Sequence, residues 1–240
     1  RAGYLVWGEF PSWGVDYENL SALGTLVGEW TEAVERDFNH PSIITWCPLN
    51  ETWESLKDAR KVRDVRFVDA VYAVTKALDG TRPCVDVGGG FHGHKTDLYD
   101  FHDYLDSATL EKHLRALEEN DEIIVDKVYA PDFADESDLR YEKGLPVNVS
   151  EYGGVSYATS TDNGWGYRRC GGEKEYVDCY VKLTSMLLKS KKLSGFCFTQ
   201  LYDVEQEQNG LYTYDRKPKF GEAAEKRIRE CNLAKAAIED

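Results

Sequence analysis

The chain predicts an α/β fold, a parallel sheet with helices outside it of the β/α-barrel kind, and three observations predict it. Short apolar runs alternate with long stretches of helical periodicity. The order is strand then helix, repeated, which requires parallel strands joined by crossover helices. The length of 240 residues, 42% of them hydrophobic, suffices for one sizeable core.

The elements follow in order. Residues 3–9 (Gly-Tyr-Leu-Val-Trp-Gly-Glu) read as a buried strand. Leu20, Leu23, Val27, Trp30 and Val34 have helical spacing and predict a helix over about 17–37. Residues 42–49 read as the next strand. Val65, Val68, Val71, Tyr72 and Leu78 predict a helix over about 54–78, stopped at Asp79-Gly80. A strand at about 83–87 runs into three glycines, and a weaker one is placed at about 98–104. Residues 105–145 are irregular and acidic with one short helix near 108–119, an excursion rather than a second domain. A strand at 146–150, a Gly-rich loop, a helix at 173–191, a strand at 195–200 and a helix at 219–237 complete the chain. That makes six strands.

Composition removes several function classes. The formal charge is −14, from 29 basic and 43 acidic residues. Nucleic-acid phosphates need a basic face, so no nucleic-acid partner is expected. No apolar run approaches the roughly 18–20 residues of a membrane span, and the first segment lacks a signal-peptide pattern. The chain starts on Arg1 rather than Met, so the natural start is expected elsewhere. Six cysteines show no CxxC spacing; Cys47, Cys84 and Cys197 sit in apolar runs and read as buried, reduced thiols. That points to a reducing compartment, and the expected location is cytoplasmic.

In a β/α barrel the chemistry sits at the C-terminal ends of the strands. The strand ends carry Glu9, Asn50-Glu51, Gly88-Gly89-Gly90, His102-Asp103-Tyr104, Ser150-Glu151 and Thr199-Gln200. Two carboxylates on separate strands, with an amide and a phenol nearby, suit glycoside hydrolysis: one protonates the leaving oxygen, and the other attacks the anomeric carbon or activates water. Strand-end acids also bind magnesium in other barrels, and many are merely solvated.

Two motifs sharpen the choice. Arg36-Asp37-Phe38-Asn39-His40-Pro41-Ser42-Ile43-Ile44-Thr45-Trp46-Cys47-Pro48-Leu49-Asn50-Glu51 resembles the acid/base signature of glycoside hydrolase family 2, whose retaining enzymes include β-galactosidases, β-glucuronidases and β-mannosidases. Pro146-Val147-Asn148-Val149-Ser150-Glu151-Tyr152-Gly153-Gly154 resembles the same family's nucleophile strand. Leu5 to Pro11 looks like its third strand, and Gly195 to Lys219 like its last strand and following loop. The resemblance implies a TIM barrel, here an incomplete (β/α)8 barrel of about six units from the third strand onward. The whole of 1–240 would then be the C-terminal part of one glycosidase domain, without the family's N-terminal β-sandwich domains.

The resemblance also implies roles. Glu51 would be the general acid/base, Glu151 the nucleophile, Asn50 a partner of the sugar 2-hydroxyl, and Tyr104 a neighbour that tunes the nucleophile. A retaining pair is expected about 5–5.5 Å apart. Glu9, Trp165 and Gln200, with Trp7 and Trp53, are candidates to line the sugar site. The implied activity is that of a retaining exo-β-glycosidase working by double displacement, with a carbohydrate partner and neither cofactor nor metal. His92, His94 and His102 lack a clear ligand set.

The substrate reading rests on a departure. β-Glucuronidases carry an Asn-x-Lys element before the Asp215-Arg216-Lys217-Pro218-Lys219 region that grips the sugar carboxylate. Here the run is Glu207-Gln208-Asn209-Gly210, without Lys or Arg. A neutral sugar is therefore expected, β-galactoside first, with β-glucuronide or β-mannoside as alternatives. With two barrel strands lacking, the isolated chain is expected to hydrolyse poorly or not at all, and oligomerisation or missing domains would complete it. The reading of another class is an inactive barrel remnant that binds carbohydrate or serves assembly.

Overall fold

A computed structural model describes residues 3–17, 19–52, 64–124, 141–157 and 164–240. Contact clustering divides the chain into two compact units, Arg1–Phe101 with Asp126–Val147, and His102–Val125 with Asn148–Asp240.

In the first unit β1 (Val6–Glu9) pairs in parallel with β2 (Ile43–Cys47). Val6 faces Ile43 and Trp7 faces Thr45, so Ile44 is the extra residue of a bulge. Helix α1 (Leu20–Asp37) starts where the Asn19 side chain accepts the Ser21 N–H. It buries Leu26, Trp30 and Val34, one stripe at i, i+4, i+8. Helix α2 (Val65–Leu78) is capped by Asp64 and buries Phe67, Val68, Val71 and Thr75. Trp30 lies at the centre of this core. Its ring meets Trp46 edge-on at 5.7 Å, and its Nε1 donates to Thr75 Oγ1 at 2.8 Å.

The strand expected at 83–87 is corrected. Among the described residues two isolated parallel bridges remain there, Trp46 with Cys84 and Asn50 with Gly88. The hydrogen bonds from Trp46 N–H to Pro83 O and from Val85 N–H to Trp46 O begin a regular ladder. The next donor in that register is residue 48, a proline with no N–H, and the ladder resumes only where Gly88 N–H reaches Leu49 O at 2.8 Å and Glu51 N–H reaches Gly88 O at 2.9 Å. The break is caused by a neighbouring strand, so residues 83–87 alone do not betray it.

Asp79, at the end of α2, ties this unit together. Its Oδ2 accepts from Trp46 Nε1 (2.9 Å) and Arg82 Nη1 (2.6 Å), and its Oδ1 from the Thr81 hydroxyl (2.6 Å). Burial works against the charge, but the bonds from Thr81, Trp46 and Arg82 outweigh it and hold the carboxyl well below its usual range. A depressed carboxyl contributes stability above its unfolded pKa of about 3.9 and loses it as pH falls further. Asp79→Asn is expected to cost about 2 kcal/mol at pH 7, a deficit that shrinks below pH 4. Urea melts of both proteins at several pH values check this; a deficit independent of pH would count against it.

In the second unit β3 (Tyr99–Asp103), β4 (Val147–Gly153) and β7 (Leu193–Thr199) form a sheet in the order β3-β4-β7; Tyr99–Phe101 and Val147 are grouped with the first unit. A two-residue parallel pair, β5 (Val155–Ser156) with β6 (Arg168–Arg169), lies in the loop after β4. The short helix expected in the excursion is α3 (Ser107–Arg115), which continues as a π-turn over Ala116–Asn120. Helices α4 (Glu173–Leu188) and α5 (Glu222–Asn232) pack on each other. Tyr152 of β4 bonds Thr184 Oγ1 of α4 at 2.7 Å, and Phe198 of β7 meets Tyr152 and Tyr180 edge-on. Strand alternation therefore turns Tyr152 toward the helix and Glu151 to the other face. The same alternation corrects one thiol. Phe196 and Phe198 both pack against Tyr152, which leaves Cys197 of the edge strand exposed, while Cys47 and Cys84 are buried. Among the described residues no helix is long and apolar enough to cross a membrane.

Candidate active site

In the first unit the candidates gather around the end of β2. Asn50 N–H donates to the buried Ser12 Oγ at 2.9 Å, and Glu51 N–H to Gly88 O at 2.9 Å. These bonds hold Glu51 at φ +42°, a backbone region that costs a non-glycine residue energy and recurs at functional sites. Gly88 is the floor of the cluster. A Cβ there would lie 3.0 Å from Asn50 Oδ1, 3.3 Å from Cys47 Sγ and 3.6 Å from Glu9 Oε2. Glu9 in turn accepts from Trp7 Nε1 at 3.0 Å. Burial pushes the Cys47 thiol well up, and the Glu9 and Asp100 carboxylates add to it. The expected sugar-lining Trp53 lies outside the described residues.

His92 and His94 do not form a joint ligand set. His92 Nδ1 pairs with Asp86 at 2.5 Å and its Nε2 with Asp100 O, whereas His94 turns to Asp69 at 2.7 Å. Burial opposes the charge on Asp86, but His92 and the Gly93 N–H hold its carboxyl below the usual range.

In the second unit the candidates gather around Glu151. The Tyr104 hydroxyl donates to Glu151 Oε2, and His102 Nδ1 lies 3.5 Å from the same oxygen. The other ring nitrogen of His102 is 3.0 Å from Ser150 Oγ. Burial, then the Glu151 charge and the hydrogen bond to it, raise the Tyr104 pKa well above its ordinary value, so the phenol remains a donor. Tyr104 stacks on Tyr167 at 3.8 Å and 8°, and Trp165 meets Tyr167 at 5.0 Å. The half-exposed Trp165 is fixed by its backbone, which bonds Gln206 O and Gln208 N–H. Gln200 is turned to the same loop, its Nε2 donating to Glu207 O at 3.1 Å. Asn209 is fully buried, with Nδ2 on Glu207 Oε1 at 3.1 Å.

Residue-type reasoning passed over His102 as a partner of Glu151, Ser150 as a partner of His102 and Tyr167 as the ring stacked on Tyr104. One signal was available: residues 102 and 104 are two apart on a strand and so share a face. A carboxylate held by donors in this way, beside aromatic faces, is suited to attack an electrophilic carbon and to bind a sugar ring.

Comparison with known proteins bears on these clusters. Residues 7–123 match the family model described as glycosyl hydrolases family 2, TIM barrel domain. A β-galactosidase of Alteromonas mediterranea is 35% identical over 91 residues, which are 38% of this chain and 8% of that protein. A β-glucuronidase of Canis lupus familiaris is 37% identical over 87 residues, 35% of this chain and 12% of that protein. The chain thus covers about a tenth of the length of the curated relatives it matches. Among solved structures, an FMN-binding β-glucuronidase of Facaelibacterium prausnitzii L2-6 superposes with a TM-score of 0.65 at 18% identity, over 94% of this chain and 34% of that one. At that identity the likeness concerns the fold alone.

Proposed function

From its likeness to the glycoside hydrolase family 2 barrel domain, in sequence over residues 7–123 and in fold over most of its length, we propose that this chain carries the catalytic residues of a retaining exo-β-glycosidase. Glu151 is the nucleophile and Glu51 the general acid/base. The observation that carries the reading is the Tyr104 hydroxyl on the Glu151 carboxylate. A phenol donating to one oxygen of a carboxylate orients the group for attack on the anomeric carbon. The covalent ester then yields to water, with Glu51 acting as base. Asn50, set by Ser12, serves the 2-hydroxyl; Glu9, Trp165 and Gln200 line the sugar, and no cofactor enters.

The sugar is neutral, a β-galactoside first. Lys219 reaches the loop after β7, donating to Gln208 O at 3.2 Å, but it is buried and paired with Asp203 at 2.7 Å. A uronate would find Glu205 and Glu207 in that loop and a cation already engaged. A cytoplasmic setting belongs to the same proposal.

The acid role has its own test. In a full-length parent enzyme, Glu51→Ala is expected to spare nitrophenyl β-glycosides, whose leaving groups need little protonation, losing about tenfold. Alkyl β-glycosides are expected to lose about 1,000-fold. Parallel kinetics on the two substrate types check this, and equal losses would remove Glu51 from the acid role.

A further inference from the structure

A cavity of about 260 Å³ lies in the second unit where three pieces of chain meet. Helix α4 contributes Cys179 and Leu183, one turn apart and so on one face. The paired β5 and β6 contribute Val155 and Arg168, which are register partners. The turn from β3 into α3 contributes Leu105, Asp106 and Ser107. The stacked Tyr104 and Tyr167 complete the wall. Val155 and Leu183 are buried, so the interior is apolar, whereas the charged Asp106 and Arg168 are exposed and stand at the mouth.

Size and mouth each narrow the occupant. An apolar cavity of about 150 Å³ holds benzene, and pockets for drug-sized molecules begin at about 300 Å³. A single substituted ring therefore fits, and tyrosine and leucine side chains suit its faces. At the mouth Arg168 offers donors and Asp106 an acceptor. Arg168 Nη2 lies 3.8 Å from Glu175 Oε1, beyond hydrogen-bond length. A hydroxyl both donates and accepts, so a neutral phenol matches both groups, whereas an anion would meet Asp106 and a cation Arg168. We propose that this cavity is a second binding site, for a neutral single-ring phenol. Its occupant touches Tyr104, whose hydroxyl sits on Glu151, and so lies beside the candidate nucleophile.

Cys179 reports on occupancy. Its thiol is half-buried, and burial raises its pKa while the Arg168 cation offsets part of the rise, so it alkylates slowly. In the 240-residue chain, about 10 mM phenol is expected to slow carbamidomethylation of Cys179 about tenfold, with half the effect at about 1 mM or below. The exposed Cys197, read in the same digest, should change less than about twofold. Cys179→Phe fills the cavity from α4 and is expected to raise the half-saturating phenol concentration, read by saturation-transfer NMR, more than about tenfold. Cys179→Ser leaves the room and should stay within about threefold of the unaltered chain. Cyclohexanol, which lacks the flat ring, and benzoate, which carries a charge, are each expected to bind at least about fivefold more weakly than phenol. Unchanged alkylation of Cys179 under phenol, unaltered affinity in Cys179→Phe, or cyclohexanol or benzoate matching phenol each overturns the proposal. Should Cys179→Phe not fold, protection of Cys179 in the unaltered chain decides. None of these readouts needs Glu151 to react, so a chain that takes no 2-fluoro glycoside label overturns the nucleophile reading and leaves this site standing.

Discussion

Glu151→Gln is expected to abolish covalent labelling by a 2-fluoro β-galactoside and, in a full-length parent enzyme, to lower glycoside hydrolysis about 10,000-fold or more. The substitution keeps the size of the side chain and removes the anionic oxygen that forms the ester. It also disturbs the donors: Tyr104 and His102 both face Oε2, which accepts as a carboxylate, and an amide offers only one acceptor oxygen. The fold should survive, because the neighbouring Tyr152, not Glu151, packs into the core against Thr184 and Phe198. Intact-mass spectrometry after incubation reads the label, and circular dichroism confirms the fold. A labelled Glu151→Gln protein would place the nucleophile elsewhere.

Gly154→Ala is expected to destabilise the second unit by about 3 kcal/mol and to cut labelling about 100-fold. Two costs combine. Gly154 sits at φ +54°, where a side chain is strained. Its added methyl would lie 2.5 Å from Tyr167 Cδ2 and 2.8 Å from Tyr104 Cδ1. Those rings are stacked, so neither yields without carrying the other. Displacing Tyr104 moves its hydroxyl off Glu151, and the rate falls with the lost orientation. Thermal melts and labelling kinetics read the two effects. An alanine variant of wild-type stability and rate would show that the stack does not hold Tyr104.

The elements that periodicity marks out are present: β2, α1, α2 from residue 65 onward, β4, α4 and β7 stand where apolar spacing places them. The contiguous run around Asn50-Glu51 lies within residues 7–123, which match the family 2 barrel model. What escaped depends on neighbours in space. Residues 83–87 read as a strand until Pro48, 35 or more positions earlier, withholds its missing N–H. Cys197 looks buried in an apolar run until the sheet order leaves β7 at an edge. His102 looks like one of three loose histidines until Ser150 and Glu151 arrive on β4. Tyr167, in a glycine-flanked loop, becomes part of the cluster only through its stack on Tyr104.

The interrupted ladder at Pro48 has a consequence for how the end of β2 can be shaped. A continuous ladder transmits twist along a strand, so any adjustment at its tip is felt in the core. Here one rung is missing at Pro48, and the bonds of Leu49 and Glu51 to Gly88 and of Asn50 to Ser12 set the orientation beyond it. Trp46, Cys47 and Leu49, on both sides of Pro48, stay anchored in the core, so the missing rung is a single gap that gives the tip slack just before the unusual dihedral of Glu51.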